Sequence, residues 1–526
     1  MCATISPVLR GSVVLVFLAA LVLLGWDAAK PGIATAYVDP IEKIQAQDEG
    51  YYGSISFEMA KRGDWLTPRF LDRYALTKPP LLYWLQATAV KVIGRKRIAL
   101  RLPSILAGAA TVAIMLAWLL GEGAPLAAAV AASLLLLSSH LLFVLSRIGL
   151  TDALLTFETT LAMFTLAREP QLKSRAGLWT FGLSSGAAIL TKGIAGLFPI
   201  LALVAFCAIS RRRPRWTTVA QVVAISAAVA APWHVYQLVR HTRWFWAEYV
   251  LTEIVTFGSG APPQTTAETQ AGYYFKRLAL MDAPLLAAAV LALFRKRPWV
   301  VIAWALVVLA AMLNFDYRNT TYLAPLLPAL ALLVGGTIPP KWSRWALLAA
   351  LLLFVGKVSA PGKPWGIPLR AESEIPAEQV LDRYASLKRG NELIIGNPDD
   401  GFYSACLDLP RVRYLYLDPS TQRRRYALDF EELGITMTAS DFLRLPDLRS
   451  AFEQRLSDWG FDRGDPIATV ILAPSMDQIG EIIRREPESD FLLPSNWAER
   501  DNGVHTAEDS GSGLQLLLAR EKIQRP

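Results

Sequence analysis

The sequence predicts a polytopic α-helical membrane protein that ends in a small soluble α/β domain. Long apolar runs fill residues 1–360, and only 19% of all residues are charged, whereas about a quarter are charged in an average soluble protein. Residues 361–526 have the mixed composition of a soluble domain. These contrasts predict a membrane domain, 1–360, followed by a C-terminal domain, 361–526.

A helix that spans the bilayer needs about 20 mostly apolar residues. The candidate spans are 11–28, 101–120, 124–146, 150–168, 176–191, 193–210, 217–239, 279–294, 298–314, 321–337 and 345–360. The first could be a signal peptide, but the spans behind it favour a retained anchor. Residues 79–94 are ambiguous, because they are short and contain Lys91. We therefore expect about eleven spans, within a range of 11–13.

Basic residues in the short loops predict the orientation of these spans. If 79–94 lies along the membrane surface, the basic clusters 211–215 and 295–297 fall in the cytoplasm, and if it crosses the membrane, both fall outside. The positive-inside rule favours the first arrangement. It places the loop 29–100 and the C-terminal domain on the outer side of the membrane. The basic run from Arg95 to Arg101 is then an outer exception, which indicates either a lipid-phosphate site or interfacial snorkelling.

The composition also excludes several classes of function. The formal net charge is +8, but its basic residues lie in loops between apolar runs, so lipid headgroups or a phosphate-bearing substrate fit better than nucleic acid. Cys2, Cys207 and Cys406 are too scattered for a disulfide framework or a zinc site. Neither GxxxxGK[ST] nor GxGxxG occurs, which disfavours an ATP-driven or dinucleotide-dependent enzyme.

The first outer loop carries three candidate functional residues. Asp48 and Glu49 precede an amphipathic stretch that fits a helix at the membrane surface. The plain interpretation of this acidic pair is a favourable charge at a helix start. Lys78 comes directly before Pro79-Pro80, which fix the backbone there. Its plain interpretation is an interfacial anchor.

Further ionisable residues lie at other outer helix ends. Asp152 begins a helix, and Lys192, in a tight turn between two apolar runs, could meet a phosphate or neutralise Asp152. Tyr317, Arg318 and Tyr322 form a further candidate phosphate cluster. Taken one at a time, each of these residues could be a helix cap or a snorkelling side chain. Ionisable groups at a membrane edge are nevertheless functional candidates by default. Together they indicate a reaction in which a lipid phosphate leaves and a carboxylate activates an acceptor.

These residues occur within a longer series of motifs. The series contains QDEGYYGSISFEMAKRGDWLTP, TKPPLLYW, RLPSILAGAATV, TDALLTF, LTKGIAGLFP, APWHVY, WFWAEYVLTE and TTYLAPLLPALALLVG. In this order and spacing the chain resembles the integral-membrane glycosyltransferases of the C-type fold (GT-C). It is most similar to the branch of the lipid A aminoarabinose transferases and the bacterial relatives of protein O-mannosyltransferases.

The resemblance implies a location and an activity. The protein would lie in a bacterial inner membrane, with its active site and C-terminal domain in the periplasm. A sugar would move from a polyprenyl-phosphate donor, such as undecaprenyl phosphate, to a lipid A or other glycolipid, glycan or protein acceptor at the outer face, with inversion. By motif match Asp48 would be the general base, with Glu49 as its partner and Asp152 orienting a substrate. Lys78 would meet the donor phosphate. The weaker matches to donor-phosphate residues are Arg101, Lys192 and Tyr322, with Arg318 standing in for a lysine of the relatives.

The chain departs from these relatives in one segment. They have a His-rich stretch before an aromatic pair, whereas this chain has Tyr273-Tyr274 without histidine. No cofactor is implied with certainty. Dependence on a divalent metal stays open, and Asp48 and Glu49 are the pair that would hold such an ion.

Two other classes of function compete with transfer. A transporter or flippase of lipid-linked sugar would place its ionisable groups near the midplane and often contain internal repeats, which this sequence lacks. An assembly protein would act through the C-terminal domain and leave the loop cluster unexplained. That domain has strand-like runs in NELIIG, VRYLYLD and ATVILAP, and helix-like runs at 435–445 and 449–460. We hypothesise that it docks the acceptor.

Overall fold

The computed structural model forms two compact units, whose residues are not consecutive in the chain. The described residues are 7–30, 37–42, 44–45, 48–70, 73–256, 268–293, 298–315, 318–369, 376–396, 409, 412–417, 470–473, 476–497, 505–509 and 513–520. The first unit contains Met1–Pro68 and Ala75–Glu372, and the second contains Arg69–Tyr74 and Ser373–Pro526. The second unit thus begins later than residue 361 and includes a short piece of the first loop.

The first unit is almost entirely helical. Its longer helices are α1 (Pro7–Gly25), α2 (Asp48–Arg62), α3 (Leu81–Ile93), α4 (Arg97–Gly121), α5 (Leu126–Leu137), α6 (His140–Leu145), α7 (Thr151–Arg168), α8 (Arg175–Lys192), α9 (Phe198–Ile209) and α10 (Trp216–Arg240). They continue with α11 (Thr242–Trp244), a π-helical segment (Phe245–Thr256), α12 (Gln270–Met281), α13 (Ala283–Leu293), α14 (Trp299–Asn314), α15 (Leu327–Gly335) and α16 (Ser343–Val358). Short 3-10 turns lie at Gly193–Leu197, Thr320–Leu326 and Pro340–Trp342, and β1 (Tyr37–Asp39) pairs with β2 (Ile44–Gln45).

Several of these helices are suited to a membrane. Arg97–Gly121, Arg175–Ile209 and Trp216–Arg240 are long and apolar enough to cross it, and Thr320–Gly335 with Pro340–Val358 forms a pair bent by 106°. Shorter apolar helices are Leu9–Gly25, Leu81–Ile93, Leu126–Leu137, Ala283–Ala292 and Trp299–Asn314. The number of eleven spans stays a prediction, because helix length and composition identify fewer in the described part of the chain.

Two expected spans are interrupted by buried polar residues. The stretch 124–146 breaks between α5 and α6 at Ser138 and Ser139, and 279–294 breaks at Asp282. Ser139 Oγ donates to Asp282 Oδ2 at 2.7 Å, and Lys357 Nζ donates to Asp282 Oδ1 at 3.0 Å. A buried carboxylate needs such partners, and here the partners lie at two other helix ends.

Small residues let the central helices approach closely. A Cβ on Gly182 would lie 2.7 Å from the Ile225 side chain, and one on Gly186 would lie 2.6 Å from that of Val229. Ser226 Oγ also donates to the Gly182 carbonyl at 3.0 Å. Because the hydrophobic effect does not drive helices together within lipid, small residues and interhelical hydrogen bonds are the typical means of packing α8 against α10.

Two buried side chains hold the segment that follows α16. His140 Nδ1 lies 2.6 Å from the Gly366 carbonyl, and its Nε2 lies 2.8 Å from the Tyr37 carbonyl. Arg147 donates to the carbonyls of Pro368 at 3.1 Å and Leu369 at 3.0 Å. These contacts explain why residues 361–369 belong to the first unit rather than to the C-terminal domain.

The second unit contains a six-stranded mixed sheet with the strand order β7-β6-β5-β8-β10-β9. Its elements are β3 (Arg69–Phe70), β4 (Arg73–Tyr74), α17 (Pro376–Ser386), β5 (Leu393–Gly396), β6 (Val412–Leu417), β7 (Val470–Ala473), α18 (Met476–Arg485), β8 (Asp490–Pro494), β9 (His505–Asp509) and β10 (Leu514–Ala519). Strands β5 to β8 pair in parallel, and β10 pairs antiparallel with β8 and β9. The helices expected at 435–445 and 449–460 lie outside the described residues.

The core of this unit includes a residue from the first loop. Phe70 packs against a cluster formed by Val380, Leu381, Tyr384, Leu393, Ile395, Leu409, Leu492 and Leu516. The β3–β4 hairpin therefore contributes apolar surface to a core whose other members come more than 300 residues later.

Candidate active site

The start of α2 presents one carboxylate outward and one inward. Asp48 and Glu49 form the first helical turn, and Lys61 and Arg62 lie in the last. This charge order stabilises α2 through its dipole. Asp48 is exposed, whereas the Glu49 side chain is 1% exposed. Two adjacent acids that look equivalent in the sequence therefore have different environments.

Glu49 forms a bidentate ion pair with Arg101. Arg101 Nε lies 2.8 Å from Glu49 Oε1 and Arg101 Nη2 lies 2.7 Å from Oε2, and the guanidinium is fully buried. Its Nη1 donates to the carbonyls of Ala28 at 2.7 Å and Lys30 at 2.6 Å. Burial alone would raise the pKa of Glu49, but the charge and hydrogen bonds of Arg101 outweigh it and lower this pKa.

The Glu49–Arg101 ion pair bears on the roles that the motif match implied for these two residues. Both oxygens of Glu49 accept hydrogen bonds from within the protein, and four of the N–H contacts of Arg101 go to protein oxygens. That placement differs from the donor-phosphate contact expected of Arg101 and from a catalytic partner role for Glu49. It fits a structural brace that fixes the first turn of α2 against α4.

Glu49 also links α2 to the loop that precedes Asp152. The backbone N–H of Gly149 donates to Glu49 Oε1 at 2.8 Å. A Cβ on Gly149 would lie 2.7 Å from Gln86 Nε2, so this close approach favours glycine. Asp48 adjoins one end of this hydrogen bond, and Asp152 lies three residues beyond the other.

Lys78 is paired in this structure with a residue that the sequence analysis did not single out. Its Nζ contacts Glu253 Oε2, and both side chains are partly buried. In the same π-helical segment, Glu248 Oε2 accepts a hydrogen bond from the Leu76 N–H at 2.6 Å. Glu248 and Glu253, both in the aromatic run WFWAEYVLTE, thus hold the Lys78 loop. Their position as isolated acids among apolar residues is the sequence feature that could have identified them.

Lys192 neutralises Asp152, which is one of the two alternatives expected from the sequence. Lys192 Nζ lies 2.6 Å from Asp152 Oδ1, with both side chains mostly buried. The same Nζ lies 5.1 Å from the centre of the Tyr322 ring, a distance typical of a cation–π contact. Three of the residues expected at the site therefore meet.

One aromatic residue connects the two ion pairs. Tyr249 belongs to the segment that carries Glu253, and its hydroxyl lies 2.9 Å from His234 Nε2. A Cβ on Gly193 would lie 2.7 Å from that hydroxyl, so Tyr249 packs directly on the turn after Lys192. The π-helical segment thus contacts Lys78 through Glu253 and the Lys192 turn through Tyr249, four residues earlier.

A buried network that the sequence analysis did not predict supports Tyr322. Asp39 Oδ2 accepts from Arg277 Nε at 2.7 Å and from Thr320 Oγ1 at 2.6 Å, and Arg277 lies over the Tyr273 ring. Burial alone would raise the pKa of Asp39, but these hydrogen bonds outweigh it and lower the pKa. The network fixes the 3-10 turn that carries Tyr322.

Arg318 lies at the edge of this network rather than beside Lys192. Its guanidinium donates to the Glu268 carbonyl and lies 5.8 Å from the centre of the Tyr273 ring. Tyr317, its neighbour in the candidate phosphate cluster, lies outside the described residues.

A further buried acid, Glu158, lies deeper along α7. Thr191 Oγ1 donates to Glu158 Oε1 at 2.9 Å, whereas Oε2 has no hydrogen-bond partner within the described part of the chain. An ionisable group at such a place is a functional candidate. Its position within an apolar helix concealed it in the sequence.

The described residues contain no group of three or more His, Cys, Asp or Glu side chains that could hold a metal ion. Asp48 and Glu49 do not fit as a metal-binding pair, because both Glu49 oxygens already accept hydrogen bonds from Arg101 and Gly149. We therefore derive no step through a metal.

Comparison with known proteins supports the resemblance seen in the motifs. The family model for dolichyl-phosphate-mannose-protein mannosyltransferase matches residues 44–246. This range contains Asp48, Glu49, Lys78, Arg101, Asp152 and Lys192.

Two relatives are undecaprenyl phosphate-alpha-4-amino-4-deoxy-L-arabinose arabinosyl transferases. That of Aeromonas salmonicida (strain A449) is 29% identical over 226 residues, which cover 41% of this chain and 41% of the relative. That of Edwardsiella ictaluri (strain 93-146) is 26% identical over 385 residues, which cover 67% of this chain and 68% of the relative. The match to the first relative thus spans less than half of its length.

The likeness of fold extends over nearly the whole chain. The crystal structure of ArnT from Cupriavidus metallidurans bound to undecaprenyl phosphate superposes with a TM-score of 0.66 and 16% identity, and the match covers 98% of this chain and 99% of that chain. In sequence the chain is therefore similar to the aminoarabinose transferases and, over residues 44–246, to the protein mannosyltransferases, and its fold is that of ArnT, the C-type fold of membrane glycosyltransferases.

Proposed function

We propose that this protein transfers a sugar from a polyprenyl-phosphate donor to a lipid acceptor of the lipid A class at the outer face of the membrane. The observation that carries the proposal is the Glu49–Gly149 hydrogen bond of 2.8 Å, because it joins the element that bears Asp48 to the element that bears Asp152. The relatives, named for undecaprenyl phosphate-linked aminoarabinose, support the choice of donor.

In this proposal Asp48 is the general base. It is the exposed carboxylate at the start of α2, beside a neighbour fixed by Arg101. It takes the proton from the acceptor oxygen as that oxygen attacks the anomeric carbon of the donor. The bond from that carbon to the phosphate oxygen breaks, and the configuration inverts. A base in this position contributes about a hundred- to ten-thousandfold to the rate.

Lys78 stabilises the negative charge that develops on the leaving polyprenyl phosphate. Its ammonium lies against Glu253, so the donor phosphate takes the place of that carboxylate. A cation positioned where charge develops stabilises the transition state more than the ground state. Asp152, Lys192 and Tyr322 form a second polar patch that orients the sugar or the acceptor.

Glu49 and Arg101 have a positioning role. Their mutual ion pair leaves neither side chain facing a substrate, but it sets the direction of Asp48. Arg318 also has a positioning role, because it packs against its own neighbours, the Glu268 carbonyl and the Tyr273 ring.

The test is transfer of a radiolabelled sugar from a polyprenyl-phosphate donor by the purified full-length protein. Asp48→Asn should lower kcat by about 100-fold or more and leave donor binding nearly unchanged. The matched control is Glu58→Gln, which neutralises another carboxylate of α2, one that lies 3.4 Å from Nη2 of Arg62 one turn later.

Equal transfer by wild type and Asp48→Asn would remove the base role. Movement of the labelled lipid across a vesicle membrane without any sugar transfer would instead support the flippase alternative.

A further inference from the structure

The end of α3 carries three exposed basic side chains that the proposed transfer does not use. Lys91 lies in the last turn of the helix, and Arg95 and Lys96 follow Gly94, the residue after its end. Arg95 and Lys96 are two of the four basic residues in the outer exception from Arg95 to Arg101, for which a lipid phosphate and snorkelling are both open explanations.

Aromatic rings hold two of these cations in place. Lys91 Nζ lies 5.6 Å from the centre of the Trp65 ring, and Arg95 Cζ lies 4.9 Å from that of Phe57. Snorkelling requires only that the charge reach water. A cation held over a ring has lost conformational freedom before any ligand arrives, which lowers the entropic cost of binding an anion.

The same helix exposes apolar side chains beside these cations. Val92 is 80% exposed and Leu85 is 39% exposed. They are seven residues apart and therefore lie on one face of α3. An exposed apolar face bordered by basic residues is the pattern of a helix that lies at the interface of a bilayer.

We propose that Lys91, Arg95 and Lys96 bind the phosphate of an anionic phospholipid from the surrounding bilayer, with Leu85 and Val92 against its acyl chains. We call these five residues the α3 lipid site. The complementary charges select an anionic headgroup, and the apolar face selects a lipid over a free anion.

The α3 lipid site is separate from the donor site. Lys78 precedes the first turn of the 13-residue helix α3, and the basic group lies at its other end. A helix of that length separates its two ends by about 20 Å. The site therefore anchors the first loop from the side opposite to the reacting groups.

The experiment places the full-length protein in phosphatidylcholine vesicles that contain a photoactivatable phosphatidylglycerol or, in parallel, a photoactivatable phosphatidylcholine. After illumination, mass spectrometry measures cross-links in residues 81–97. In wild type we expect at least about fivefold more cross-linking by the anionic lipid, since each basic residue near an anionic surface contributes a factor of that order. In Lys91→Gln/Arg95→Gln/Lys96→Gln the two lipids should cross-link equally.

The matched control removes three exposed basic residues from the second unit. Lys388→Gln/Arg484→Gln/Arg485→Gln loses the same charge, and its preference at residues 81–97 should equal that of wild type. Arg95→Gln alone, which disturbs the fold less, should lower the preference in part.

Three results would overturn the proposal. They are equal cross-linking by both lipids in wild type, an undiminished preference in both the triple variant and Arg95→Gln, or full competition by millimolar inorganic phosphate. No sugar donor is present in this measurement, so its outcome is independent of the proposed transfer.

Discussion

Arg101 compensates the charge of the buried Glu49 carboxylate. Removal of one member of a buried pair leaves the other uncompensated, which costs about 3–5 kcal/mol. We expect Arg101→Gln to lower the free energy of unfolding of the detergent-solubilised protein by that amount. Lys96→Gln, which removes an exposed cation of the same region, should change it by less than about 0.5 kcal/mol. Equal stability of the two variants would mean that the Glu49–Arg101 pair contributes nothing.

The lowered pKa of Glu49 predicts a pH dependence of stability. Glu49 binds its proton less readily in the folded protein than at the ordinary value of 4.5. Its contribution is therefore complete above pH 4.5 and is lost as the pH falls through the lower, folded-state pKa. Denaturant unfolding between pH 7 and pH 3 should show this loss in wild type and a smaller one in Glu49→Gln. A steeper loss in the variant would contradict the assignment.

In the proposed mechanism, Glu253 competes with the donor phosphate for Lys78. If the donor phosphate must displace this carboxylate, Glu253→Gln should lower KM for the donor by about tenfold, the effect of roughly 1.4 kcal/mol, and leave kcat nearly unchanged. Glu248→Gln is the matched control, because its amide oxygen can still accept the Leu76 N–H. A raised KM in Glu253→Gln would show that Glu253 helps to bind the donor instead.

At the scale of elements, the turn after Lys192 leaves no room for a side chain at Gly196. A Cβ there would lie 2.2 Å from the Ala188 carbonyl oxygen. Gly196→Ala must displace backbone, so we expect a loss of about 1–3 kcal/mol in stability and a lower transfer rate as Lys192 moves. Thermal unfolding and kcat measure the two effects.

Gly356→Ala is the control for this substitution. Gly356 lies within α16, and a Cβ there meets no atom within 4 Å. Alanine favours a helix by up to about 1 kcal/mol over glycine, so this variant should be unchanged or more stable. If Gly196→Ala behaved in the same way, the turn would not be rigid.

The elements of the first loop were predictable because their signals are local. The helix expected at 79–94 is α3 at Leu81–Ile93, and the amphipathic stretch after Asp48 is α2. The position of α3 along the membrane surface stays a prediction. The helix breaks at Asp282 and Ser139 were not predictable. Their hydrogen-bond partners come from distant parts of the chain, and neither residue forbids a helix by itself. The same reason concealed Asp39, whose partners are Arg277 and Thr320.

At the scale of the whole molecule, the sequence indicated where apolar helices give way to a soluble composition. It could not indicate the position of β8 between β5 and β10, since that order depends on pairing between strands nearly 100 residues apart. The change of composition placed the domain boundary at 361. The sequence could not show that residues 361–369 are attached to the first unit, because these contacts come from the distant residues His140 and Arg147.

Because the second unit is discontinuous, we expect substitution of Phe70 to have opposite effects in the full chain and in a chain truncated after Glu372. In the full chain, Phe70→Ser removes apolar contact with the sheet core and should lower stability by about 1–3 kcal/mol. In a chain truncated after Glu372, the wild-type Phe70 has lost that core, and Phe70→Ser should reduce aggregation. Size-exclusion chromatography and denaturant unfolding measure both. If Phe70→Ser were harmful in both chains, or beneficial in both, Phe70 would not be a member of the sheet core.

The β3–β4 hairpin also has a consequence for biosynthesis. The ribosome makes Phe70 more than 300 residues before Leu393 and the other core residues that it packs against. At about 5–20 residues per second, the hairpin emerges on the order of 15–60 s before its partners. During that interval Phe70 has no folded core to pack against, so the first loop reaches its final structure only after the last strands have been translated.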